Sequence, residues 1–301
     1  MTTVISPVST FACITFSGSQ VHDFLQGQFT CDVSKVNDGD IQLTAYCNER
    51  ARVTATGYLM RDKEQFHFFT PKNLLAHTQQ KFKQYGIFSD IKIEQNHQMG
   101  MLAYIGSPQS DFPTDRYAAT IINSDVRLAC LNSDAELYCY FGEKMALATL
   151  QETLTNNNKT ELFVDLHFWE KANIQAGIVH VYASTLEKLT PHMINYHKND
   201  ALSFEKGCFL GQEVIARTQH RGRSKRKLYQ CTIPSSSDIM LGGTLIAKDE
   251  TAGLVVAECA QAETGTKALV VVSDHAVKSK LMLDKHEVIE LAPVEEALVN
   301  A

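Results

Sequence analysis

The apolar runs of this chain are no longer than a β-strand. The longest, such as Gly253–Ala257 and Ala268–Val272, fall far short of the ~20 apolar residues that a membrane-spanning helix needs. Hydrophobic residues make up 44% of the 301 positions and charged residues 21%, so the chain can bury a substantial core. Its first 18 residues lack the basic and continuously apolar segments of a signal peptide. These features predict a soluble, cytoplasmic, globular protein with roughly two to three domains.

Strand and helix patterns alternate in the first part of the chain, and strand patterns alone fill the last part. A helix that begins at Pro71 and ends near Tyr85 follows the early strands. The predicted strands are residues 11–18, 41–46, 52–60 and 66–70, and later 227–233, 244–247, 253–258, 268–272 and 279–283. This order predicts an α+β fold with a small C-terminal β-barrel or sandwich.

Cysteine spacing and net charge exclude several classes of function. No two of the eight cysteines have the two-to-four-residue spacing usual for zinc or iron–sulfur ligands, so no metal site is predicted. The net charge of −6 does not favour a general nucleic-acid binder. Glycine-rich phosphate loops and nucleophile elbows are absent from the sequence. His192 and His197, five residues apart, do not share a helix face and are interpreted as ordinary surface or core residues.

The segment from Phe204 to Arg217 holds the pattern of a reactive cysteine. Glycines at positions 207 and 211 flank Cys208, and Lys206 precedes it by two residues. A nearby cation and a helix N-terminus just beyond both favour thiolate over thiol. Gln212, Glu213 and Arg217 then lie in the first turns of that helix. The alternative is a buried structural cysteine in a glycine-rich turn.

The sequence KGCFLGQE at 206–213 resembles the signature of the YgfZ family, folate-binding proteins related in fold to the aminomethyltransferase (T-protein) of the glycine cleavage system. Residues 24–33 resemble the first helix and turn of that family. Residues 169–177 resemble its central segment, and Lys225-Arg226 also fit. The resemblance covers about residues 11 to 235.

The resemblance implies an aminomethyltransferase-like three-domain ring with a central site for tetrahydrofolate or a related folate. The domains would be residues 1–48 plus 163–224, which form a folate-binding core, residues 49–162, and a C-terminal β-barrel at 225–301. Phe11 and Trp169 match the aromatic positions expected to stack on a pterin. Gln212, Glu213 and Arg217 are further candidate folate contacts. Phe11 stands where the family has Trp, and both aromatic residues could instead be ordinary core residues.

The acidic segment of the aminomethyltransferases is missing from this chain. Ala55 and Thr56 stand where the Gly-Gly-x-x-Asp-Asp pattern has its carboxylates, and neither side chain titrates near neutral pH. Glu49 is nearby in sequence, and an exposed helix or turn position is expected for it. Enzymatic activity is therefore left open.

Residues 217–227 carry six Arg and Lys residues and no acid within an acidic protein. Three interpretations stay open for this basic run: a solvated loop, a contact with a folate polyglutamate tail or a phosphate, and a contact with RNA. Aromatic residues are not interleaved with the run, which weakens the case for stacking on a single strand.

The leading functional interpretation comes from the resemblance. It is a folate-binding accessory protein that supports iron–sulfur cluster assembly or repair and, through cluster enzymes, the thio-modification of tRNA. One alternative is a tetrahydrofolate-dependent one-carbon transferase that uses Cys208 or Glu213, and another is an RNA-binding module. The implied partners are folate and iron–sulfur assembly proteins or cluster enzymes, with no membrane contact and no favoured nucleic-acid contact.

Overall fold

The structure is a computed structural model that describes residues 3–156, 160–162, 167–222, 224–234, 239–261 and 265–294, without the side chains of 160–162, 221 and 259–261. The described residues form five α-helices: α1 (Val21–Gln28), α2 (Leu75–Tyr85), α3 (Lys144–Thr155), α4 (His167–Ala176) and α5 (Gln212–Arg221). Their strands are β1 (Thr3–Pro7), β2 (Phe11–Ser17), β3 (Ile41–Cys47), β4 (Val53–Asp62), β5 (Gln65–Pro71), β6 (Lys92–Asn96), β7 (Met99–Ile105), β8 (Ala119–Asn123), β9 (Val126–Asn132), β10 (Leu137–Glu143), β11 (Thr160–Leu162), β12 (Arg226–Ile233), β13 (Thr244–Ala247), β14 (Glu250–Gln261), β15 (Gly265–Ser273), β16 (Met282–Leu283), β17 (His286–Glu287) and β18 (Ile289–Pro293).

The first part of the chain forms two layers, each of which is a sheet with helices packed on it. One is a five-stranded antiparallel sheet in the order β3-β4-β5-β2-β6, with α1 and α2 on it. The other has six strands in the order β11-β1-β7-β10-β9-β8, with α3 packed on β7 and β10. Only β1 and β11 pair in parallel within that sheet, since the other pairs are antiparallel. The structure thus confirms the α+β class.

The strands predicted at the end of the chain form a third sheet. It has seven strands in the order β17-β16-β13-β14-β15-β12-β18, all joined antiparallel. Shifts of register in β12, β13 and β14 mark bulges, which bend strands and increase their twist. The predicted small barrel is therefore a curled half-barrel sheet.

The domain division inferred from the resemblance remains a prediction. Its boundary between residues 48 and 49 falls between β3 and β4, which are hydrogen-bonded neighbours from Ile41↔Met60 to Cys47↔Val53. The first sheet therefore crosses that boundary. The last domain, from residue 225, begins one residue before β12.

One large apolar core joins all three sheets. It contains Phe11 of β2, Met101 of β7, Trp169 of α4 and Leu269 of β15. Helix α4 contacts β7 of the second sheet and β14 and β15 of the third, and its Trp169 contacts Phe11 of the first sheet, so it lies where the three sheets meet. No helix among the described residues is long and apolar enough to cross a membrane.

Candidate functional site

Phe11 and Trp169, far apart in sequence, meet at the junction of the three sheets. Their ring centroids are 5.9 Å apart in an edge-to-face arrangement. The His180 ring also contacts Phe11 edge-to-face, with ring centroids 4.9 Å apart. Trp169 is 1% exposed and Phe11 8% exposed. The structure thus brings together the two aromatic residues that the resemblance singled out and adds His180, which no sequence pattern indicated.

Helix α4 directs Trp169 inward because its apolar positions share one face. Trp169, Ala172, Asn173 and Ala176 are buried at spacings of three and four residues. Gly177 follows with φ of +65°, a conformation that glycine adopts without strain, and the chain turns back toward the helix. This reversal carries the next strand-like residues, with His180, to the same side of the core.

Several buried polar atoms around these rings have no hydrogen-bond partner among the described residues. They include His180 Nε2, Asn173 Oδ1 and the Tyr58 hydroxyl. Burial lowers the pKa of His180 to about 3, so the imidazole is neutral at pH 7. A buried polar group without a partner costs free energy, and native structures seldom retain several of them together. Aromatic walls with such atoms form a site suited to a flat ligand with a polar edge.

Thr56 closes this site on the side of β4. Its Oγ1 accepts a hydrogen bond from the backbone N–H of Val181 at 2.8 Å and lies 3.4 Å from His180 Nδ1. Thr56 and its neighbour Ala55 are both completely buried. No carboxylate therefore stands at the position where the aminomethyltransferase pattern has its acids. Glu49, the acid nearest in sequence to these positions, is exposed in a turn and accepts a hydrogen bond from Tyr85, as expected.

A small cavity leads to the aromatic residues between α4 and the third sheet. Its volume is about 100 Å³. Its lining includes Trp169, Asn173, His180 and Tyr182 on one side and Ala257 of β14 on the other. Ligand pockets usually measure ~300–1,000 Å³, so this cavity must widen before a folate could enter.

The segment from Phe204 to Arg217, which holds Cys208, forms a second candidate site next to the first sheet. Gly211 has φ of +82°, and a Cβ there would lie 2.6 Å from the carbonyl oxygen of Asn48. The N–H of Leu210 donates to the carbonyl of Gly27 at 3.1 Å. Glycine is thus required at 211 by backbone conformation and close approach. At Gly207 a Cβ would meet no atom within 4 Å, so the steric argument from sequence applies to 211 alone.

Lys206 makes contacts that differ from those predicted. Its Nζ donates to the carbonyls of Phe29 and Cys31, each at 2.8 Å, and lies 5.0 Å from the centre of the Phe209 ring. Burial lowers the pKa of Lys206 to about 8, while Cys31 and Asp32 partly oppose the shift. The ammonium is buried and Cys208 is exposed, so the described contacts of Lys206 fasten the segment to the loop after α1.

Cys208 differs from the other described cysteines in exposure. Six of them, Cys13, Cys31, Cys47, Cys130, Cys139 and Cys231, are buried, and the side chain of Cys259 lies outside the described residues. Burial raises the pKa of the Cys13 thiol to about 12 and that of Cys31 to about 11. The alternative of a buried structural cysteine therefore does not apply to Cys208. No group of three or more metal-ligating side chains occurs in the described part of the chain.

The remaining candidate folate contacts lie on α5. Gln212 is half-buried, whereas Glu213 and Arg217 are exposed and form an i,i+4 ion pair at 3.0 Å. Their hydrogen bond joins them to each other on the outer face of the helix. The structure therefore separates the predicted site residues into a buried aromatic group and an exposed group around Cys208.

Comparisons with known proteins concern the family resemblance and the fold. No family model matches the chain. The tRNA-modifying protein YgfZ of Colwellia psychrerythraea is 26% identical over 275 residues, which are 88% of this chain and 83% of that protein. The tRNA-modifying protein YgfZ of Klebsiella pneumoniae is 27% identical over 226 residues, 73% of this chain and 68% of that protein.

The solved structure of the glycine cleavage system aminomethyltransferase T from Bartonella henselae matches with a TM-score of 0.76. The match covers 99% of this chain and 86% of the aminomethyltransferase chain, at 15% sequence identity. The fold is therefore that of the aminomethyltransferases. These sequence relatives are named YgfZ and match this chain over most of its length. The resemblance to the YgfZ family is therefore confirmed.

Proposed function

We propose that this protein binds a reduced folate in the buried aromatic site and acts as a YgfZ-type accessory protein in tRNA modification. The observation that carries the proposal is a set of three buried polar atoms without a partner among the described residues. His180 Nε2 and Asn173 Oδ1 belong to residues that line the small cavity with Trp169, and Tyr58 OH belongs to a ring whose centroid lies 5.4 Å from that of His180. A pterin is a flat ring with donors and acceptors along its edge, which matches such a set. The names of the relatives supply the link to tRNA.

The chain's own residues would hold the ligand in two ways. Trp169 and Phe11 offer aromatic surface, and His180, Asn173 and Tyr58 offer neutral hydrogen-bonding groups. His180 stays neutral down to low pH, since burial lowers its pKa to about 3. It can therefore donate from one ring nitrogen and accept at the other. Tetrahydrofolate, when bound, would supply ring and bridging nitrogens that can carry a one-carbon group.

The positions that hold the acids in the aminomethyltransferases carry no group for proton transfer in this chain. Thr56 and Ala55 cannot titrate near neutral pH, and Thr56 is occupied by the backbone of Val181. The exposed Glu213 is paired with Arg217 on α5. These contacts favour a binding role over one-carbon transfer.

The exposed thiol is the second part of the proposal. We place Cys208 in iron–sulfur cluster assembly or repair, upstream of cluster enzymes that thio-modify tRNA. A single thiolate cannot hold a cluster, so the remaining ligands would come from a partner protein, a second copy or a small thiol. Exposure of Cys208 is the property that such a shared ligand requires.

Tyr58→Phe tests the folate site. The Tyr58 hydroxyl has no partner among the described residues, so its loss should leave the free energy of unfolding unchanged or slightly raised. If the hydroxyl bonds to folate, the dissociation constant for tetrahydrofolate should rise about fivefold, the value of one neutral hydrogen bond. Quenching of the single tryptophan, Trp169, gives the titration.

Tyr104→Phe is the matched control, because its hydroxyl donates to the Ser107 carbonyl in the second sheet, away from the aromatic site. Its folate affinity should equal that of the unmodified protein. Equal affinity of the Tyr58→Phe variant and the unmodified protein would remove the aromatic site as the folate site.

Two further measurements separate the alternatives. Turnover of a labelled methylene or methyl donor by purified protein would establish a transferase and overturn the accessory role. Binding to RNA that falls steeply with salt, together with indifference to folate, would establish an RNA-binding module.

The Cys208→Ser variant tests the role of the thiol. In cells lacking the protein, this variant should fold and bind folate yet fail to restore cluster-dependent enzyme activity. Full rescue would exclude the thiol from the function.

A further inference from the structure

A second cavity lies between the end of α5, the start of β12 and the segment that holds His192 and His197. Its volume is about 270 Å³. The two histidines, expected from their spacing to be unrelated, have ring centroids 4.8 Å apart and planes at 36°. Both rings line the cavity, together with Gln219 of α5. The tight turn of Pro191–Ile194 and the left-handed residue Asn195 bring the histidines together.

One ring nitrogen of the two histidines lacks a hydrogen-bond partner within the described part of the chain. His197 Nδ1 is buried and makes no hydrogen bond among the described residues. His192 Nε2 lies 3.2 Å from the side-chain oxygen of Gln219, so it is the donor in that contact. Burial, with a smaller effect from His192, lowers the pKa of His197 to about 4, and burial also lowers that of His192. Both rings are therefore neutral at pH 7, and each can present one N–H.

The charged side chains among the described lining residues of the cavity are both lysines. Lys198 and Lys227 line it, both are exposed, and neither forms an ion pair with any residue that the structure describes. No Asp or Glu occurs among the described lining residues. The C-terminal end of α5 contributes about half a negative charge, which two full positive charges outweigh.

Three other polar side chains of the lining are already engaged in hydrogen bonds. The Thr218 hydroxyl donates to the Val214 carbonyl, and the Ser224 hydroxyl donates to the Arg226 carbonyl. The amide of Asn195 donates to the Val294 carbonyl. The groups left for a ligand among the described side chains of the lining are two ammonium groups, the amide N–H₂ of Gln219 and the unpartnered imidazole nitrogen.

We propose that this cavity binds the phosphate group of a small phosphorylated molecule. Lys198 and Lys227 supply charge, and the N–H of His197 supplies a directed hydrogen bond. Lysine binds phosphate as a point charge, and two ammonium groups match the two charges of a phosphate dianion. A cavity of about 270 Å³ has room for a sugar phosphate.

This proposal does not depend on folate binding, and it gives part of the basic run at 217–227 a role. The run contributes Thr218, Gln219 and Lys227 to the cavity. Of the three interpretations of the run, the cavity favours the phosphate contact. The side chain of Arg221 and the whole of Arg223, two further cations of the run, lie outside the described residues.

Calorimetry with inorganic phosphate and with ribose 5-phosphate tests the proposal on the full chain. The Lys198→Ala/Lys227→Ala variant should bind ribose 5-phosphate about tenfold more weakly, as expected when two partly exposed charge contacts are lost. The matched control, Lys188→Ala/Lys248→Ala, removes the same charge from exposed sites outside the lining and should bind normally. The Nδ1 resonance of His197 should shift when phosphate is added.

Three results would overturn the phosphate site. One is the absence of binding of either probe to the unmodified protein at millimolar concentration. Another is the same loss of affinity in the control variant, which would indicate a general charge effect. The third is tighter binding of triglutamate or of an RNA oligonucleotide in the absence of ribose phosphate binding, which would assign the lysines to a different ligand.

Discussion

Replacing Lys206 by Met tests whether this lysine acts mainly as a structural anchor. Its ammonium donates two hydrogen bonds, to the carbonyls of Phe29 and Cys31, and it is buried. Methionine keeps most of the aliphatic stem and removes the donors. The variant therefore separates the hydrogen bonds from the packing of the side chain.

The effect at pH 7 is the difference between two opposing contributions. Leaving the two carbonyls without this donor costs about 1–3 kcal/mol each. Burial lowers the pKa of Lys206 from its ordinary 10.5 to about 8, and removing a charge held at that cost returns roughly 3 kcal/mol. We therefore expect the Lys206→Met variant to lose about 1 kcal/mol of unfolding free energy at pH 7.

The difference should grow as the pH rises. Between pH 8 and 10.5 the folded protein has released the Lys206 proton while the unfolded chain still holds it, so stability from this group increases with pH. The neutral amine still donates to both carbonyls. The deficit of the Met variant should thus increase by roughly 2–3 kcal/mol by pH 10.

Urea unfolding of the unmodified protein and of the Lys206→Met variant at pH 7, 8, 9 and 10 measures this difference. The contributions of the cysteines and tyrosines that also titrate cancel, because both proteins contain them. Lys35→Met is the control, because Lys35 is 68% exposed and pairs with Glu205 at the surface. Its effect should stay within about 0.5 kcal/mol at every pH. A constant deficit in the Lys206→Met variant, parallel to the control, would refute the argument from burial.

Three other predictions concern the site residues. A limited dose of iodoacetamide near pH 7 should label Cys208 before the six buried cysteines, as peptide mass mapping would show, and earlier labelling of Cys31 would contradict it. Thr56→Asp should destabilise the protein by roughly 3 kcal/mol, because a carboxylate would be fully buried beside a neutral imidazole. Burial should raise the pKa of the introduced aspartate, so the folded state binds more protons than the unfolded chain, and the loss of unfolding free energy should be larger at pH 8 than at pH 5. A smaller loss at pH 8 in urea titrations would be contrary evidence. Glu213→Gln should change the unfolding free energy by less than about 0.5 kcal/mol, since its ion pair with Arg217 is exposed, and a larger change would indicate an unrecognised role.

Local pattern in the sequence predicted many elements correctly. The strands at 11–18 and 41–46 are β2 and β3 within one residue, and the helix expected from Pro71 to Tyr85 is a short 3-10 turn, Lys72–Leu74, followed by α2. These elements have strong alternation, a helix-initiating proline or a dense apolar face. Local patterns of this kind do not predict which strands pair with each other. β1 pairs with β11, more than 150 positions away, and no local signal encodes that neighbour.

The sequence by itself determined the fold class, singled out Cys208 as the candidate reactive thiol and showed that Ala55 and Thr56 stand in place of the acids, because motif spacing and residue chemistry are local properties. Only the tertiary structure decided where the charges and rings point. It buried the ammonium of Lys206 against the carbonyls of Phe29 and Cys31 and left Cys208 exposed. It placed His180 against Phe11 and His192 against His197. Such contacts depend on which sheets and turns pack together, and that packing minimises exposed apolar surface over the whole chain.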